Sequence, residues 1–96
     1  KQMTVSKENK EFLEGLIEYY ISEAESYREM AQEYNLKIDS VSDTAFGIIV
    51  GCVYSSFLQT YSNQKLTPDV HDVQEFTEII MIKSNAIMNA IKGQNN

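Results

Sequence analysis

The chain has 96 residues, 43% hydrophobic and 23% charged, and 14 Asp plus Glu against 8 Lys plus Arg give a net charge of −6. That length allows one domain, residues 1–96. The acid excess excludes a phosphate-reading partner, which needs clustered Lys and Arg, so no nucleic acid is expected. A lone cysteine, Cys52, and a lone histidine, His71, exclude an internal disulfide framework and the usual Cys/His zinc sites.

At the start, Lys1 precedes Met3, a candidate native start. No apolar run follows a basic start, so no secretory signal is expected and a cytoplasmic location is. At the other end, Gly93-Gln94-Asn95-Asn96 is polar and should fray.

The first predicted helix covers residues 7–34, with Ser6 as its N-cap. Leu13, Ile17, Tyr20, Ala24, Tyr27, Ala31 and Tyr34 alternate at spacings of four and three, a seam for packing lengthwise against neighbours. At 100° per residue, Glu11, Glu14, Glu18, Glu25, Glu29 and Glu33 fall on the far side.

The second predicted helix covers residues 41–63. Ser40 and Asp43 have capping-box spacing. From Thr44 to Gln64 there is no charge, and Phe46, Ile48, Ile49, Val50, Val53, Tyr54, Phe57 and Leu58 point in every direction. A helix that is apolar all round must be covered all round. Gly47, Gly51 and Ser55 form a narrow stripe of small residues where another helix could come close; the other use for that space is to admit Tyr or Phe rings from the first helix. The dense apolar part, Ala45 to Leu58, is roughly fourteen residues, short of the ~20 that a bilayer needs, so no membrane is expected.

The third predicted helix covers residues 68–92. Thr67 is the expected N-cap with Pro68 at the first helical position, and Gly93 closes the helix behind Lys92. Val73, Phe76, Ile80, Ile87 and Ile91 form its apolar stripe. The expected fold is therefore all-α: a three-helix up-down-up bundle, dimerised into a larger bundle because two flanking helices cannot screen every side of the middle one. The expected dimer interface is Gly47, Gly51 and Ser55 with Val50, Tyr54 and Leu58.

Two charges break the apolar pattern, Glu23 and Lys83, each about sixteen residues into its helix, and they are expected to pair between helices. The glutamate row, Glu11, Glu14, Glu18, Glu25 and Glu29, reads as a solvated surface that could be offered to a basic protein. His71 has Glu75 and Glu78 on the same projected polar face, but a metal site needs three or four convergent ligands. Cys52 lies in the apolar helix and reads as a small buried hydrophobe. Neither a phosphate loop nor a nucleophile elbow is present.

The sequence thus reads as a non-enzymatic dimeric interaction protein, an adaptor, regulator or assembly subunit, with no cofactor and no metal. A second reading is a carrier of an apolar ligand or metal in a cavity lined by Tyr20, Tyr27, Tyr54 and Tyr61. A third is a magnesium-dependent hydrolase, which would need acids from two helices to converge.

Overall fold

The computed structural model describes residues 5–94. The readings at Lys1, Met3, Asn95 and Asn96 lie outside these residues. Four helices carry the fold: α1 (Lys7–Ser22), α2 (Ala24–Gln32), α3 (Val41–Asn63) and α4 (Val70–Ile91), with a 3-10 turn over Asn35–Lys37. No strand occurs among the described residues, so the fold is all-α.

The first expected helix is two helices, joined at Glu23. Neither glycine nor proline stands at the joint. The Ser22 hydroxyl donates back to the Tyr19 carbonyl at 2.6 Å. The Glu23 N–H is shared at 3.2 Å between the carbonyls of Tyr19 and Tyr20. A serine bonding back into the preceding turn is a known cause of helix bending. The buried seam nevertheless continues across the joint, from Leu13 and Ile17 in α1 to Ala24 and Ala31 in α2. It ends there, because Tyr34 lies beyond the end of α2 and is exposed.

The caps are made locally. Ser6 accepts the Asn9 N–H, and Ser40 accepts the Asp43 N–H at 3.0 Å. For α4 the cap is Asp69, not Thr67: Asp69 and Asp72 exchange side-chain-to-backbone bonds in a full capping box, both at 3.0 Å. An aspartate with its carboxylate in place two residues later outcompetes a threonine before a proline. At the far end Gly93 takes φ +73°, and Gln94 N–H reaches back to the Asn89 carbonyl at 2.7 Å. That left-handed closure is where glycine is required.

Packing follows the buried stripes. Ala45, Ile49, Val53, Phe57 and Tyr61 form the inner face of α3, against Leu13 and Ile17 of α1, the two alanines of α2, and Phe76, Ile80, Ile87 and Ile91 of α4. The Asn9 and Gln64 amides exchange hydrogen bonds, placing the start of α1 beside the end of α3. The Arg28 guanidinium donates to the Ile91 carbonyl at 2.7 Å and so ties α2 to the end of α4.

Candidate functional site

α3 is buried along one side only. Ala45, Ile49 and Val53 are fully buried, while Asp43, Gly47, Gly51, Ser55 and Gln59 are exposed at four-residue intervals. Ile48, Val50, Tyr54 and Leu58 lie beside that stripe, half-buried. The outward ridge carries no charge from Thr44 to Gln64. By length and composition α3 could cross a membrane, the only such helix among the described residues, and just 22% of its apolar window is buried.

The two glycines bear on one of the uses considered for the small stripe. A Cβ built on Gly47 or Gly51 meets nothing within 4 Å. No ring from α1 or α2 occupies that space, so the idea that these glycines admit intrachain Tyr or Phe rings is wrong. Each glycine in a helix interior costs about 0.5–1 kcal/mol relative to alanine.

The ridge has one uncharged flank. Towards α4, Tyr54 meets the Phe76 ring edge-on at 5.0 Å, and the adjoining α4 surface presents Val73, Thr77, Met81, Ser84 and Met88, with Met81 67% exposed. Towards α1, Phe12 at 47% exposure lines a shallow cleft of about 300 Å³ with Glu8, Asn9, Thr60, Asn63 and Gln64, so that flank carries an acid.

The seam between α1 and α4 is chemically opposite. A cleft of about 200 Å³ there is lined by Lys10, Glu14, Glu75, Glu78, Ile79, Ile82 and Lys83. Lys83 pairs with Glu18, not with the expected Glu23: Nζ lies 3.7 Å from Glu18 Oε2. Glu23 is exposed at the joint that ends α1. Glu75 is also not the surface partner of His71 that projection suggested. Its residue is 3% exposed, and Oε1 accepts the Val5 N–H at 3.0 Å, which brings Val5 over that part of α4. His71 stays exposed.

Acids from two helices thus line one cleft, Glu14 of α1 with Glu75 and Glu78 of α4, whereas the hydrolase reading requires them to converge within coordination distance. Two lysines stand among them, and no group of three His, Cys, Asp or Glu among the described residues is placed to hold a metal ion. Elsewhere on the glutamate row, Glu25 pairs with Arg28 at 3.4 Å, while Glu11 and Glu29 are exposed.

The four tyrosines proposed to line a cavity fall into two ring clusters. Tyr20 packs on Tyr27 at 5.4 Å, and Tyr54 and Tyr61 pack around Phe57 and Phe76. Burial raises the Tyr20 phenol pKa above the ordinary value, with Cys52 and Tyr27 adding to the effect. The Tyr61 phenol is pushed up to about 12, first by burial and then by the carboxylates of Asp72, Glu75 and Asp69. Pattern reading missed this buried polar group of Tyr61, Asp72 and Glu75 at the foot of α4. Asp69 and Asp72 at capping-box spacing were its one visible signal. No family model, curated protein or solved structure matches the chain.

Proposed function

We propose that the protein is a small non-enzymatic helical interaction protein that works as a homodimer through the outward ridge of α3. In this reading α1 and α2 act as one jointed rod, and with α3 and α4 they form an up-down-up unit that two copies complete. The observation that carries it is the pair of open glycines on an uncharged helix face. Two residues that weaken their own helix, and that no intrachain neighbour requires, make sense where a second backbone comes close.

The acidic side, Glu11, Glu14, Glu18, Glu25 and Glu29, stays in solvent in such a dimer and is the surface for a basic protein partner.

The test is solution mass by light scattering, with Gly51→Leu as the comparison. The reading requires a species of twice 11.0 kDa for the parent and a folded monomer for the variant. A parent that stays monomeric at high concentration defeats it.

A second reading takes α3 as a membrane-embedded helix, favoured by its hydropathy and its 22% burial. Against it, the inner face of α3 packs on helices whose outer sides carry glutamates, and immersing α3 would draw those charges into lipid at a cost of several kcal/mol. Flotation with lipid vesicles in the absence of detergent separates the two: the dimer reading predicts that the protein stays in the aqueous fraction.

A further inference from the structure

We draw no further inference here: the strongest candidate, the cleft between α1 and α4 lined by Lys10, Glu14, Glu78, Ile82 and Lys83, carries both signs of charge, and nothing in the structure shows what would cover it.

Discussion

The two sides of α3 show how one helix can be finished on one face and unfinished on the other. Inside, Ile49, Val53 and Phe57 are sealed against three other helices. Outside, the same helix offers Gly47, Gly51 and Ser55 with nothing set against the glycines. The α1–α4 seam sharpens the contrast. There charges pair between helices and Val5 lies over Glu75. An exposed surface built for water carries charge, and past Asp43 the ridge of α3 carries none. Exposure alone therefore does not mark an interaction surface. What sets the ridge apart is exposure with little charge; open glycines alone do not, since a Cβ built on Gly15 of the acidic α1 also meets nothing within 4 Å.

The largest effect that would break this comparison lies on the inner face. Phe57→Ala empties a site that is 1% exposed and should cost about 3–5 kcal/mol, a large part of the stability of so small a domain, in chemical denaturation. A loss below about 1 kcal/mol would mean that this face is not the core. Gly51→Ala comes next and should act in opposite directions on the two properties. At concentrations where the protein is monomeric it should stabilise the helix by about 0.5–1 kcal/mol, while at high concentration it should weaken self-association. Gly47→Ala should behave alike, and a destabilised monomer would show that the glycines are needed within the chain.

A third effect appears only at alkaline pH. Tyr61 has its phenol pKa raised to about 12 in the folded protein against 10.0 ordinarily. The folded state therefore holds this proton more tightly than the unfolded state does. Its contribution to stability is complete below pH 10 and is lost as pH rises through about 12. Tyr61→Phe should flatten that limb of the stability curve; an unchanged limb would place the titration elsewhere. The smallest effect belongs to the seam. Lys83→Ala removes a pair with Glu18 that is largely solvated, and it should change stability by less than about 1 kcal/mol, shrinking further as salt is added.

Much of this arrangement was legible in the sequence, for identifiable reasons. α3 was readable to its ends because Ser40 caps it and an uncharged run fills it. The stripe of α4 was readable because Phe76, Ile80, Ile87 and Ile91 repeat at helical spacing. The joint at Glu23 was not, since a serine hydroxyl turning back on a carbonyl leaves the apolar period intact. Equal depth along two straight helices pairs Lys83 with Glu23, whereas its partner is Glu18. Glu75 projects to the surface of a lone α4, and Val5, whose N–H it accepts, belongs to no periodic run that could be projected. The outward glycines were visible as a stripe, but only coordinates could show that no ring enters the space above them.

The most direct test of the account is sedimentation equilibrium of the parent chain and Gly51→Leu, side by side, over a hundredfold range of concentration. The account predicts a parent that shifts from 11.0 kDa to twice that mass, and a variant with the same helical circular dichroism that stays at 11.0 kDa throughout. A parent that remains at the lower mass, or a variant that associates as well as the parent does, contradicts it.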